Sequence, residues 1–135
     1  MNLFDCLATS GSGLSAQRQR MEIISQNMAN AETTGPQGPY RRKLPVFSEQ
    51  VGGLGLGASA SGVKVTAILE DTSPPKLIYD PGNPLAGADG YIRKPNINIV
   101  SEMVDLMAAV RAYEANVAVV GDTKRLVDAA LQIGA

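Results

Sequence analysis

The fold is decided by residues 99–133, which read IVSEMVDLMAAVRAYEANVAVVGDTKRLVDAALQI. Alternate steps of three and four residues from Met103 reach apolar side chains at eight of nine positions, the exception being Lys124. The apolar positions are Met103, Leu106, Val110, Tyr113, Val117, Val120, Val127 and Leu131. This spacing puts them on one stripe of a helix, which a partner helix must cover. The stretch therefore predicts a helix over residues 99–133, about 50 Å long.

A matching stripe lies near the other end of the chain. Alternate steps of four and three residues from Leu3 to Ala31 reach apolar side chains at seven of nine positions. Its members in the second half are Leu14, Met21, Ile24 and Met28. Ser10-Gly11-Ser12-Gly13 interrupts the stripe, since serine and glycine favour caps and breaks. We therefore expect a short helix, a weak point near Gly11–Gly13, and a firmer helix from about Ser15 to Asn30.

The middle of the chain is unsuited to helices. All eight prolines lie between Pro36 and Pro95, and proline breaks helix interiors. Alternating or β-prone residues predict strands, at Gly62–Glu70, Leu77–Tyr79 and Tyr91–Arg93. The glycine-rich stretch Gly52–Gly62 is expected to be a mobile loop.

These patterns together predict the fold class and the division of the chain. The fold is expected to be mainly α, with long N- and C-terminal helices paired as an antiparallel coiled coil. A small central segment rich in strands and loops, residues 34–96, separates the two helices. Residues 1–33 and 97–135 then form one helical assembly domain.

Composition argues against an enzyme. The chain has no histidine, which removes the commonest general base, the catalytic triads and most metal sites. Cys6 is the single cysteine, so an internal disulfide and a multi-cysteine zinc site are excluded. Glu102 and Asp105 lie near the start of the last predicted helix, where offsetting the helix dipole is a sufficient role. No catalytic, cofactor or metal site is predicted.

Net charge and hydropathy limit the kinds of partner that the chain can have. The net charge of −1 gives no field that would attract nucleic acid or an anionic membrane. No apolar run approaches the roughly 18 residues that span a bilayer, and no cleavable signal peptide is visible. We therefore expect neither nucleic-acid binding nor membrane insertion, and composition alone would place the protein in the cytoplasm.

Five segments change that expectation through resemblance to a known family. They are Ser12–Ala16 with Ser25–Ala31 (SGLSA and SQNMANA), Gly38–Lys43 (GPYRRK), Pro95–Leu106 (PNINIVSEMVDL) and Arg111–Val117 (RAYEANV). In this order they resemble the signatures of flagellar rod, hook and hook-associated proteins. The Gly-Pro-Tyr-Arg-Arg form looks like that of the proximal rod members.

The resemblance implies a structural subunit of the basal-body proximal rod. Such subunits polymerise through their terminal helices into a tubular drive shaft that transmits torque to the hook. The implied partners are copies of the chain, other proximal and distal rod subunits, and proteins at the junction of the membrane ring and export gate. Export would use the flagellar type III apparatus without a cleaved signal peptide, and the finished rod would cross the periplasm.

On this basis the two stripes and the signature asparagines are the predicted assembly residues. They are Leu14, Met21, Ile24, Asn27, Met28, Asn30, Met103, Leu106, Val110, Tyr113, Asn116, Val117, Val120, Val127 and Leu131. Asn27 and Asn30 are expected to close the first helix, one of them as a cap, because asparagine tolerates the left-handed conformation.

Two alternatives stay open at this point. The first is another rod subunit, such as the FlgB type, or a hook-family relative, although the short middle argues against hook and distal rod proteins. The second is a cytoplasmic helical adaptor or export chaperone with a four-helix bundle. That reading would have to explain a proline-rich middle that supplies no further helices.

Overall fold

The computed structural model describes residues 3–51 and 60–133. The described chain forms two helices, α1 (Leu3–Ala29) and α2 (Ile99–Ile133). Between them lie β1 (Thr34–Gly35), β2 (Gly38–Pro39), β3 (Lys43–Val51), β4 (Ala60–Glu70), β5 (Lys76–Tyr79) and β6 (Tyr91–Lys94). The strands pair as three antiparallel two-stranded sheets, β1–β2, β3–β4 and β5–β6.

The two terminal helices pack against each other, as the sequence predicts. Their contacts occur in opposite order along the chain. Near the start of α1, Cys6 Sγ lies 3.9 Å from Thr123 Oγ1, far along α2. Near the end of α1, Asn27 Nδ2 lies 3.2 Å from Glu102 Oε2, in the first turn of α2.

The span predicted for α2 is confirmed, and the local sequence explains its start. Asn98 Oδ1 accepts hydrogen bonds from the backbone N–H groups of Val100 at 3.0 Å and Ser101 at 3.4 Å. An asparagine in this position satisfies donors that have no partner within the helix. The helix then runs without a break to Ile133.

The weak point predicted near Gly11–Gly13 is wrong, because α1 is continuous through it. Ser10 is buried, and Ser12 Oγ donates to the carbonyl of Thr9 at 2.7 Å and accepts from the N–H of Val63 at 3.0 Å. This stretch is where α1 touches both α2 and the β3–β4 sheet. Tertiary packing there outweighs the helix penalty of glycine, about 1 kcal/mol per residue.

The end of α1 also differs in detail from the prediction. Asn30 closes the helix through its side chain, whose Nδ2 donates to the carbonyl of Gln26 at 2.8 Å. No described residue other than glycine has a positive φ, so the expected left-handed asparagine cap is wrong. The side-chain bond replaces it as the partner for a terminal carbonyl.

The middle contains more strand than the sequence predicts, so the fold is mixed α and β rather than mainly α. The strands β4, β5 and β6 match the predicted ones, whereas β3 was not predicted. Pro45 lies inside β3, and proline is tolerated there because β3 has a single strand neighbour and an open edge. Of the predicted Gly52–Gly62 loop, residues 52–59 lie outside the described residues, and Gly62 belongs to β4 with a φ of 132°.

The described core is small compared with the apolar surface. Its buried hydrophobic residues are Ala16, Ile23, Ile24, Ile92, Ile97 and Ala109, whereas twenty large hydrophobic side chains are exposed.

Candidate assembly surface

The contact between α1 and α2 is built from small and polar side chains. The buried residues of α2 are Glu102, Ala109 and Thr123, and half-buried Asn116 completes a series with seven-residue spacing. A Cβ added to Gly13 of α1 would lie 3.1 Å from Asn116 Nδ2. The missing side chain at Gly13 therefore lets the two helices approach closely.

This contact is rotated away from the predicted stripe on α2. One column of the stripe is half-buried, and its members are Leu106, Tyr113, Val120 and Val127. The other column of the stripe, Met103, Val110 and Val117, does not face α1. The residues that do so are Glu102, Ala109 and Asn116, each one position earlier in the chain. Met103 is 50% exposed and Val117 is 47% exposed. The expectation that Met103, Val110, Val117 and Leu131 cover α1 within one chain is therefore wrong.

The predicted residues of α1 are enclosed to a greater extent. Ile24 and Asn27 are buried, while Leu14, Met21, Met28 and Asn30 are half-buried. This helix is covered from two directions, by α2 and by the β3–β4 sheet. Ile23, one residue outside the predicted stripe, is buried and borders a groove against β4.

The outward column of α2 belongs to a wider apolar face. Met103, Met107, Val110 and Val117 share one side of the helix at offsets of 0, 4, 7 and 14 residues, and all four are exposed. We call these four residues the outer stripe. Of the twenty exposed large hydrophobics, eleven lie on α2. Exposed Glu114 lies on the same side between Val110 and Val117, so the apolar surface is interrupted once. Exposed apolar surface of this kind marks interaction sites.

A polar cluster at the start of α2 ties both helices to the central segment. Glu102 is only 1% exposed, and its Oε1 accepts from Arg42 Nε in the segment before β3. Arg42 Nη2 also lies 3.5 Å from Asp105 Oδ2, and Arg20 Nη2 of α1 lies 3.8 Å from Asp105 Oδ1. The two carboxylates are thus held by arginines from two different parts of the chain.

Asn27 bridges this cluster to the first residue of β3. Its Oδ1 accepts from Lys43 N–H at 2.9 Å and its Nδ2 donates to the Lys43 carbonyl at 2.8 Å. The side-chain amide therefore pairs with the strand backbone as a neighbouring strand would. The Tyr40 hydroxyl donates to Asn27 Oδ1 at 3.3 Å. Burial raises the pKa of Tyr40, and the Glu70 and Glu102 carboxylates add to this shift.

Sequence reasoning missed the structural role of Glu102 and Arg42. Offsetting the helix dipole does not account for a carboxylate that is buried and paired. Two signals pointed to these residues. Glu102 has the same seven-residue spacing as Ala109, Asn116 and Thr123, and both Glu102 and Arg42 lie within the segments that resemble the flagellar family.

Within residues 3–51 and 60–133, no three histidine, cysteine, aspartate or glutamate side chains come together as a metal site would require. No helix in the described part of the chain is both long and apolar enough to cross a bilayer.

Two family models match this chain, at its two ends. Residues 7–37 match the model described as flagella basal body rod protein. Residues 88–133 match the model described as flagellar basal body rod FlgEFG protein C-terminal. The two regions contain most of α1 and all of α2, together with the Asn27 and Glu102 ends of the polar cluster.

Curated relatives match along almost the whole length. The flagellar basal-body rod protein FlgC of Escherichia coli O6:H1 is 45% identical, covering 99% of this chain and 97% of the relative. FlgC of Bacillus subtilis is 42% identical over 99% of both chains. FlgC of Borreliella burgdorferi is 40% identical over 98% of both. At this identity and coverage, the chain belongs to the FlgC family of flagellar basal-body rod proteins.

Proposed function

We propose that this structural rod subunit lies in the proximal rod and polymerises through its terminal helices, transmitting torque toward the hook. The assembly domain comprises residues 1–33 and 97–135, and residues 34–96 form the central segment. Its relatives are named as rod proteins rather than enzymes, which agrees with a role in which packing is the function.

The observation that carries this proposal is the outer stripe. Its apolar side chains are arranged on one helix face, yet α1 lies against a different face. A two-helix unit with a small core gains stability when neighbours bury such a face, at about 25 cal/mol per Å² of apolar surface. The remaining predicted assembly residues, such as Leu14, Tyr113 and Leu131, then lie at the borders of contacts between subunits.

We further propose that α1 and α2 form an antiparallel coiled coil. Cys6 meets Thr123, Gly13 meets Asn116 and Asn27 meets Glu102. In each pair the two residue numbers add up to 129, as in two helices that run antiparallel in a constant register. Layers at seven-residue intervals are the repeat expected of a coiled coil. Small layers at this seam leave the larger apolar side chains free for contacts with other subunits.

The proposed partners are copies of this chain, other rod subunits, and proteins at the junction of the membrane ring and export gate. During assembly the chain would pass through the flagellar type III export apparatus without cleavage of a signal peptide. Support comes from the family membership and from the exposed apolar face of α2.

The test is recovery of the full-length chain from detached basal bodies. A cell that expresses a tagged chain in place of its own copy should swim, and the tag should copurify with the rod after detergent and alkaline extraction. A chain recovered only from the cytosol, in cells that assemble normal rods, would instead favour an adaptor or export chaperone.

A further inference from the structure

A groove lies where the β5–β6 hairpin meets the start of α2. Its volume is about 420 Å³, and its apolar lining includes Ile78, Ile97 and Val100. Lys76 and Lys94 stand beside these residues. Lys76 Nζ donates to the carbonyl of Ile97 at 3.2 Å, which holds this ammonium group at the groove. We call this site the hairpin groove.

The opposite end of α2 extends beyond its contact with α1. Thr123 lies against Cys6, near the start of α1, and one seven-residue step further reaches Ala130. Ala130 is exposed. Leu126, Leu131 and Ile133 are exposed here, Ile133 by 88%. We call residues 126–133 the helix end.

The groove and the helix end are complementary in charge as well as in polarity. The last turn of α2 contains no basic side chain, so the negative partial charge of its terminal carbonyls is not offset within the turn. Asp128 is the one charged side chain within residues 126–133. Lys124 and Arg125 lie just before this segment, and Arg125 is paired with Asp122. The groove offers two lysines and one glutamate, Glu32, beside its apolar lining, so the net charge of its lining is positive.

A single chain cannot join its own two sites. They lie at opposite ends of a helix of 35 residues, about 50 Å apart. We propose that the hairpin groove binds the helix end of a second copy of this chain, so that subunits contact each other head to tail. A contact between two different surfaces builds a ring or a filament instead of closing as a dimer. This inference rests on the proposed rod function and specifies which surfaces meet.

The test is a disulfide between two differently tagged full-length chains in which Cys6→Ser removes the native thiol. One chain carries Ile78→Cys and the other carries Leu131→Cys. Both are expressed together, and isolated basal bodies are mildly oxidised. The proposal predicts a disulfide-linked dimer that contains both tags, since a disulfide requires Cα atoms within about 7 Å.

The matched control is Leu77→Cys, paired with the same Leu131→Cys chain. Leu77 neighbours Ile78 on β5 and points to the other face of the strand, and it is more exposed, at 60% against 43%. Random collision would therefore favour the control pair, whereas docking in the groove favours the Ile78 pair. Lys94→Glu should reduce the yield of the Ile78 pair, and Lys64→Glu on exposed β4 should leave it unchanged.

Equal yields from the Ile78 and Leu77 pairs, or no mixed dimer in basal bodies that contain both chains, would overturn the proposal. Presence of the chains in basal bodies tests the rod function separately. If a variant does not enter basal bodies, the same two pairs are compared with concentrated purified chains, where the same order of yields is expected.

Discussion

Gly13 lies where α1 packs against Asn116 of α2. Within one turn the same helix contains a second glycine, Gly11, whose added Cβ would meet nothing within 4 Å. The two glycines therefore have the same intrinsic effect on the helix and opposite surroundings. Only Gly13 is required by the approach of a neighbouring helix.

Replacing these glycines by leucine should shift stability in opposite directions. Gly13→Leu forces a side chain against Asn116, and overpacking of this kind costs about 1–3 kcal/mol. Gly11→Leu should stabilise the chain by up to about 1 kcal/mol, because leucine is the better helix former. Urea unfolding of the purified full-length chain, followed by circular dichroism, measures both. Equal changes in the free energy of unfolding for the two variants would show that Gly13 is not a packing site.

Glu102 is the second residue whose role depends on its surroundings. Glu102→Gln removes the charge that faces Arg42 and should destabilise the folded chain by about 2 kcal/mol. The value lies below that of a fully buried pair because the Arg42 side chain is 24% exposed. Glu114→Gln, on the exposed side of the same helix, is the control and should change stability by less than about 0.5 kcal/mol. If the two variants unfold at the same urea concentration, the cluster contributes no stability.

At the scale of the elements, helix positions could be predicted and helix rotation could not. The prolines and Asn98 bound α2, and the apolar period identifies both helices. That period indicates which side chains become buried somewhere, but it does not identify the chain that buries them. Met103, Val110 and Val117 were therefore assigned to α1, although Glu102, Ala109 and Asn116 make that contact. Glu102 was missed because a buried carboxylate depends on Arg42, which is distant in sequence.

The strand β3 could not be predicted for a different reason. Pro45 argues against a central strand, and only the observed pairing with a single neighbour, β4, makes its position acceptable. The weak point expected at Gly11–Gly13 failed in the same way. Local propensity favoured a break, and contacts from α2 and β4 outweighed it.

The native cysteine provides a test of the helix register. Thr123→Cys should form a disulfide with Cys6 within one chain under mild oxidation, because the two side chains already face each other with 3.9 Å between Sγ and Oγ1. Asp122→Cys and Lys124→Cys, one residue to either side, should not. Faster migration on a non-reducing gel reports the intramolecular bond. Efficient bonding at residue 122 or 124 instead would contradict the register.

At the scale of the whole molecule, exposed apolar surface is the dominant feature. Six hydrophobic side chains are buried in the described residues and twenty large ones are exposed, most of these on α2. A polymer subunit explains this ratio, because its stability is completed by its neighbours. A variant that alters the outer stripe should therefore affect the polymer and spare the single chain.

The most direct test compares Val110→Asp with Ala109→Asp, two neighbouring positions on α2. Val110 is 37% exposed and Ala109 is fully buried against α1. Val110→Asp should leave the melting temperature of the purified chain nearly unchanged, because its carboxylate stays hydrated. Ala109→Asp should unfold the chain, because it buries an unpaired charge.

The decisive measurement is the number of rods in basal-body preparations from cells that express Val110→Asp as their only copy. The account predicts a stable, folded chain and no rods, hence no hooks, filaments or swimming, because the outer stripe can no longer be buried between subunits. Normal rod numbers and normal swimming with Val110→Asp would contradict the claim that the outer stripe joins subunits.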